Sequence, residues 1–214
     1  MPSAPDAANA APHPRPSFLF FGILAAVSLV ADVGTKIWAE STLTARGYEP
    51  IELIDGHLGV ILAYNKGGAF GLLQDAPAAL RLPFFLGVSV AAVWFLVSLY
   101  AKLHPSQRAL HWGLPLVLGG ALGNLADRIT RGHVIDFIDY QGGWVLKMNE
   151  LIQSVSSGWH VSSHWPTFNV ADIAICIGVG LMMVDMFTSR RLRAAETTGI
   201  SHEPTDEAPS SQSA

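Results

Sequence analysis

The residues of this chain best suited to chemistry stand near the ends of long apolar blocks, and most are carboxylates and amides. Asp32 and Lys36 are four apart, Asn124 and Arg128 are four apart, and Asn169 and Asp172 are three apart, so each pair shares one face of a helix. Asp136 sits in the apolar run Val134-Ile135-Asp136-Phe137-Ile138, shortly after Gly132. An ionisable group in or beside hydrocarbon is a functional-site candidate by default. Two carboxylates held close together cannot easily both ionise. They share a proton, which leaves one as general base toward water and the other as donor to a carbonyl oxygen. Asp136 and Asp172 are the two carboxylates predicted to meet in this way. Each polar residue also has a plain structural reading: Lys36 and Arg128 can snorkel to headgroups, Asn124 can join helices, and Asp127 can be wholly interfacial. Asp185, close to the arginines that follow it, is read as structural.

Other routes to peptide chemistry lack their parts. The sequence holds no His-Glu-x-x-His and no Gly-x-Ser-x-Gly. Its one cysteine, Cys176, lies inside an apolar block and reads as a small buried hydrophobe. His160 and His164 are four apart, but no carboxylate stands at a metal-like spacing, so no zinc site is expected, and chemistry by a carboxylate pair implies no metal or organic cofactor. Lys and Arg number 13 against 17 Asp and Glu, which leaves no basic field for a phosphate backbone and excludes nucleic acid as a partner.

The elements that must position these groups follow from hydropathy. Half of the residues are hydrophobic and the mean hydropathy is +0.34, and the excess is gathered in blocks near the length that crosses a bilayer. Four spans are predicted, at 18–38, 82–100, 111–129 and 168–187. Residues 1–17, rich in Pro and Ala, and 189–214, rich in Ser, Thr, Glu and Pro, read as disordered tails. Arg15 ahead of an apolar core also has the look of a secretory signal peptide, but three further spans make an uncleaved first helix the simpler account. The outer segment 39–81 alternates short apolar runs with turn formers such as Asp55-Gly56 and Asn65-Lys66-Gly67-Gly68, which predicts a small strand-rich element outside the hydrocarbon. The second outer segment, 130–167, begins with a helix break at Gly132 and a stretch folding back on the membrane surface. The fold class is thus an all-α membrane protein of four spans with a small extracytoplasmic β-rich cradle and an extra outer loop or surface helix.

Basic residues set the expected orientation. Arg190, Arg191 and Arg193 follow the fourth span, Lys102 and Arg108 lie in the short connection after the second, and Arg15 precedes the first. Both termini are accordingly expected in the cytoplasm. Asp32 with Lys36, Asn124 with Arg128, and Asn169 with Asp172 then all fall at the outer level of the bilayer. Trp38, Trp112, Trp144, Trp159 and Trp165 lie at or beyond span ends, as interfacial rings do.

Five short motifs in this order resemble the bacterial lipoprotein signal peptidase family, signal peptidase II. They are Asp32-Val33-Gly34-Thr35-Lys36, Asn65-Lys66-Gly67-Gly68-Ala69-Phe70, Gly120-Ala121-Leu122-Gly123-Asn124-Leu125-Ala126-Asp127-Arg128, Gly132-His133-Val134-Ile135-Asp136-Phe137 and Phe168-Asn169-Val170-Ala171-Asp172. The resemblance covers 18–188 and implies a four-span aspartic endopeptidase of the bacterial inner membrane. Such an enzyme removes the signal peptide of a prolipoprotein, cutting before a cysteine that carries a diacylglyceryl group. It implies Asp136 and Asp172 as the catalytic pair, with Asp32, Lys36, Asn65, Gly68, Asn124, Arg128, Asn169 and Ala171 in supporting or substrate-binding places. Lipid-modified prolipoproteins and membrane phospholipid are the implied partners, and the chain is expected to be monomeric.

The chain departs from the family in two places. Gly68 stands where alanine is commoner, and Tyr140–Trp165 holds an insertion, with an amphipathic run at Val145–Val155 that suggests a lid or surface helix. Two other readings stay open on the sequence: a catalytically silent, precursor-binding member of the family, and a small proton-coupled transporter with Asp32, Lys36, Arg128 and Asp172 along its path.

Overall fold

The computed structural model describes residues 17–67, 73, 76–104, 107–155 and 161–199. In chain order the elements are α1 (Phe18–Ala45), β1 (Ile51–Ile54), β2 (Leu58–Asn65), α2 (Ala78–Tyr100), α3 (Arg108–Arg131), β3 (Val134–Tyr140), α4 (Gly143–Val155) and α5 (Val170–Gly199). Four of them are long and apolar enough to cross a membrane: α1, α2, α3 and the Val170–Thr188 part of α5.

α3 is the central helix, packed against α1, α2 and α5. Its small residues allow this. A side chain at Gly120 would press within 2.6 Å of the Ala171 carbonyl of α5, and one at Gly123 would collide with the carboxylate of Asp32 on α1. Close backbone approach is the main source of packing energy between spans, where lipid is as apolar as leucine.

Two boundaries differ from expectation. The first helix does not stop at Trp38 but runs to Ala45. Its 28 residues make ~42 Å of helix, more than the hydrocarbon needs. The extra turns carry Ala39 and Leu43, which pack with Val60, Ile135 and Phe137 under the sheet. At the other end α5 continues to Gly199, so residues 189–199, read as disordered, are helical. Leu192, Ala194, Ala195 and Glu196 are good helix formers, and their intrinsic preference prolongs the span. Residues 1–16 and 200–214, the rest of the expected tails, lie outside the described residues. Cys176 also corrects its reading, since it is exposed on the outside of the bundle rather than buried.

The strand-rich element is a three-stranded antiparallel sheet of order β1-β2-β3. β1 and β2 form the hairpin expected in 39–81, turning at Asp55-Gly56-His57 with Gly56 at φ 66°. Its third strand is the segment expected only to fold back on the membrane. Gly132, at φ 74°, ends α3 in the left-handed conformation and lets the chain reverse directly into β3. Between Val60↔Ile138 and Ala63↔Asp136, β2 holds one residue more than β3, a bulge beside Asp136.

The insertion leaves and returns through a closed neck. The Trp165 N–H donates to the Tyr140 carbonyl at 2.7 Å, Gly142 N–H to Ser163 at 2.9 Å, and Phe168 exchanges backbone hydrogen bonds with Ile138. The returning chain therefore lies antiparallel along the second edge of β3. The expected amphipathic run is α4, which begins two residues ahead of Val145.

Candidate functional site

The site is assembled where α1, α3 and the start of α5 meet the sheet. Asn169 and Asp172 build a reciprocal cap at the head of α5. The Asp172 N–H donates to Asn169 Oδ1 and the Asn169 N–H to Asp172 Oδ2, both at 3.1 Å. This arrangement satisfies two backbone donors that a helix start leaves free. Asp32 captures another, accepting from the Ala171 N–H at 2.9 Å. A carboxylate at that end of a helix is favoured by the helix dipole.

Asn169 is fully buried and also reaches the second carboxyl: its Nδ2 donates to Asp136 Oδ1 at 2.6 Å. Asn65, at the end of β2, donates to Asp136 Oδ2 at 3.0 Å. Asp172 receives a further bond from Asn124 Nδ2 at 3.1 Å. One residue, Asn169, thus holds both carboxyls, through its side chain on one and its backbone on the other.

The orientation of Asn124 is dictated from below. Lys36 Nζ donates to Asn124 Oδ1 at 2.9 Å, and an ammonium can only donate, so the amide must turn its NH2 toward Asp172. Lys36 is only 1% exposed and forms ion pairs with Asp32 at 2.8 Å and Asp127 at 3.0 Å. Asp127 pairs in turn with Arg131 and accepts from the Ile135 N–H at 3.1 Å, and Arg131 pairs with Glu40. A buried ammonium is tolerable in such a place because two carboxylates and an amide oxygen replace its water.

Asp136 lies in β3 with 3% exposure. Its pKa is pushed up to about 6, first by burial and further by the charge of Asp172, against the lowering effect of the Asn65 and Asn169 amides and of Lys36. A carboxyl with that pKa holds its proton far more readily than an exposed aspartate, and it stands beside a second carboxylate.

Most of the residues singled out by sequence converge here: Asp136, Asp172, Asn169, Asn65, Asn124, Lys36 and Asp32. Ala171 contributes its backbone N–H and a small buried side chain. Arg128 faces both carboxyls with its charge but spends its hydrogen bonds elsewhere. It donates to the carbonyls of Gly67 and Asn124 and lies 4.5 Å from the centre of the Phe85 ring, tying α3 to the end of β2 and to α2. α2, which contributes no polar residue to the spans' common level, meets the site's rim through that ring. Gly68 and His160 fall outside the described residues. His164 instead faces Asp139, 2.9 Å away at the neck of the insertion.

Sequence reasoning missed Asp127 and Glu40 as members of the network. Asp127 is buried rather than interfacial. The signal was present in the spacing, since Lys36 and Glu40, and Asp127 and Arg131, are both four apart. Asp185 is buried and accepts from Gln107 Nε2 at 3.4 Å, near the start of α3 and far along α5 from the carboxyl pair.

Fold and site together define a multi-pass membrane protein with two carboxyls linked through Asn169 at one end of its bundle. Residues 24–188 match the family model described as signal peptidase (SPase) II. The lipoprotein signal peptidase of Geobacter sulfurreducens is 38% identical over 180 residues, covering 84% of this chain and 99% of that protein. The one from Ralstonia nicotianae is 39% identical over 171 residues, covering 79% and 84%. A solved bacterial membrane enzyme shares the fold at TM-score 0.60 and 22% identity, covering 93% of this chain and all of that one. The chain belongs to the signal peptidase II family.

Proposed function

We propose that this chain is the aspartic endopeptidase that removes signal peptides from diacylglyceryl-modified prolipoproteins, with Asp136 and Asp172 as its catalytic pair. The observation that carries the assignment of the pair is the double grip of Asn169, which donates to Asp136 at 2.6 Å through its side chain and to Asp172 at 3.1 Å through its backbone. Two carboxyls fixed on one residue are oriented before substrate arrives.

In the reaction one carboxylate takes a proton from water as the oxygen attacks the scissile carbonyl. The protonated partner donates to the developing oxyanion; as the C–N bond breaks, the first carboxyl gives its proton to the departing amine and the partner takes its own back from the re-forming carbonyl. Lys36 and Asp32 act through Asn124 and the α5 backbone to hold Asp172. Asn65 holds Asp136, and Arg128 secures the outer rim where substrate enters. The bundle spans the bacterial inner membrane as a monomer with both termini in the cytoplasm. The carboxyl pair then lies near the outer face, where the lipidated cysteine of a precursor and the surrounding phospholipid sit. The basic residues that flank α2, α3 and α5 support that orientation.

The test is cleavage of a diacylglyceryl-modified precursor by the purified protein in proteoliposomes. Asp136→Asn and Asp172→Asn should each abolish cleavage while the precursor still binds. Full activity in either variant would remove that residue from the pair, and an inactive parent protein that binds precursor would make the chain a silent family member.

A further inference from the structure

α4 divides into three faces. Val145, Asn149 and Ile152 turn inward, and the Asn149 side chain donates to the Ser162 carbonyl at 2.7 Å, fastening the helix to the returning chain. Lys147, Glu150 and Ser154 form an exposed polar face. The third face is neither. Trp144, Met148, Leu151 and Val155, at i, i+4, i+7 and i+11, make one narrow apolar stripe. Trp144 is 53% exposed, Leu151 70% and Val155 85%.

An aromatic cluster continues the stripe at its N-terminal end. The Trp144 ring lies 5.7 Å from that of Trp165 and 6.1 Å from that of Tyr140, and its Nε1–H donates to the Tyr140 hydroxyl at 2.9 Å. Tryptophan and tyrosine with an apolar body and a wet polar edge are the residues that collect at headgroup level. The helix is joined through the neck to β3, which starts three residues after α3 ends. It therefore belongs to the same end of the bundle as the heads and tails of the spans around the carboxyl pair.

We propose that the Trp144, Met148, Leu151 and Val155 face of α4 lies in the bilayer at the boundary between headgroups and acyl chains, so that lipid is its partner. An apolar stripe flanked by a polar face that includes a lysine is the pattern of a helix lying in the interface plane. The consequence is mechanical. The helix pins the neck at Tyr140 and Trp165, and with it the far end of β3, to the membrane surface. This goes beyond the peptidase reading and does not depend on it, because the placement concerns a face that carries no proposed catalytic group.

The experiment uses the full chain in phosphatidylglycerol and phosphatidylethanolamine proteoliposomes, with Cys176→Ala to remove the native thiol. Single substitutions Leu151→Cys, Val155→Cys, Lys147→Cys and Ser154→Cys each receive a nitroxide, and collisions with oxygen and with a water-soluble nickel chelate are measured. Oxygen concentrates in acyl chains and the chelate in water. The oxygen-to-chelate ratio at 151 and 155 should exceed that at 147 and 154 several-fold. Equal, chelate-dominated values at all four positions would place the stripe in water and overturn the proposal. Shielding of 151 and 155 from both reagents would also overturn it, because the stripe would then be covered by protein such as a second copy of the chain. Cleavage of the precursor by each labelled protein is read separately, so loss of activity and failure of the membrane contact are distinguishable.

Discussion

Asn65→Leu separates the electrostatic part of the site from its shape. Leucine keeps the branched outline and heavy-atom count of asparagine but removes the amide that donates to Asp136 Oδ2 at 3.0 Å. That bond favours the ionised carboxylate, so its loss must raise the pKa of Asp136 above its present value of about 6. A hydrogen bond to a charged group contributes roughly 1.5–3 kcal/mol, and one pKa unit is about 1.4 kcal/mol, so a rise of ~1–2 units follows. If catalysis needs one proton on the pair, activity declines on the alkaline side as that proton is lost. The alkaline limb of kcat/KM, which reports the free enzyme, should therefore move upward by about 1–2 pH units in the variant. The assay is cleavage of lipidated precursor in proteoliposomes across pH. Asn65 Oδ1 also accepts from the Gly67 N–H, so kcat will fall as the end of β2 loosens. A lower rate with an unmoved limb would therefore mean that Asn65 only shapes the loop. A limb displaced downward would refute the account of Asp136 outright.

Two further outcomes follow from the same geometry. Lys36→Met leaves Asp32 and Asp127 without their shared cation in a buried place and frees Asn124 to turn its amide away from Asp172. Breaking a buried pair on one side costs about 3–5 kcal/mol, so thermal unfolding in detergent should shift strongly downward and cleavage should be lost. For Asp136 the folded pKa of about 6 lies above the ordinary 3.8, so the folded state binds more protons between those values and stability falls as pH rises through that window. Melting followed from pH 4 to 7 should show that decline in the parent protein and a flatter curve in Asp136→Asn, with equal slopes in the two counting against a raised pKa.

Much of the site was legible because helices make it so. Asp32 with Lys36, Asn124 with Arg128, and Asn169 with Asp172 declare a common face through spacing alone, and Gly132 announces the end of α3. The sheet was only half legible. The β1–β2 hairpin is local and carries its own turn signal, whereas pairing of β2 with β3 joins Asn65 to Val134 across the whole of α2 and α3. No local pattern encodes such a partner. The Lys36 network was hidden for a different reason. Ending the first span at Trp38 placed Glu40 in a loop, and the real helix continues because Ala39 and Leu43 have a sheet to pack against. The cap at α5 could have been read, since Asn-x-x-Asp before an apolar run has the reciprocal spacing of a capping box.

The long separation of Asp136 from Asp172 in the sequence now has a structural account. What matters to the pair is the register between β3 and the chain returning from the insertion, and that register is set by the bonds that Phe137 and Ile138 make with Phe168. These lie between the neck and the two aspartates. Beyond them the Tyr140–Trp165 contact closes the loop, so chain added on its far side changes only a closure entropy that grows slowly with length. The insertion can thus acquire a helix with its own apolar face without disturbing either carboxyl. A disturbance of α4 must pass this neck before it reaches either carboxyl: along β3 to Asp136, and through Phe168 to Asn169, whose side chain holds Asp136 and whose backbone holds Asp172. Substitutions in the α4 stripe should for that reason leave cleavage of the precursor close to the parent's rate, and a loss as complete as that of Asp136→Asn would refute this account of the neck.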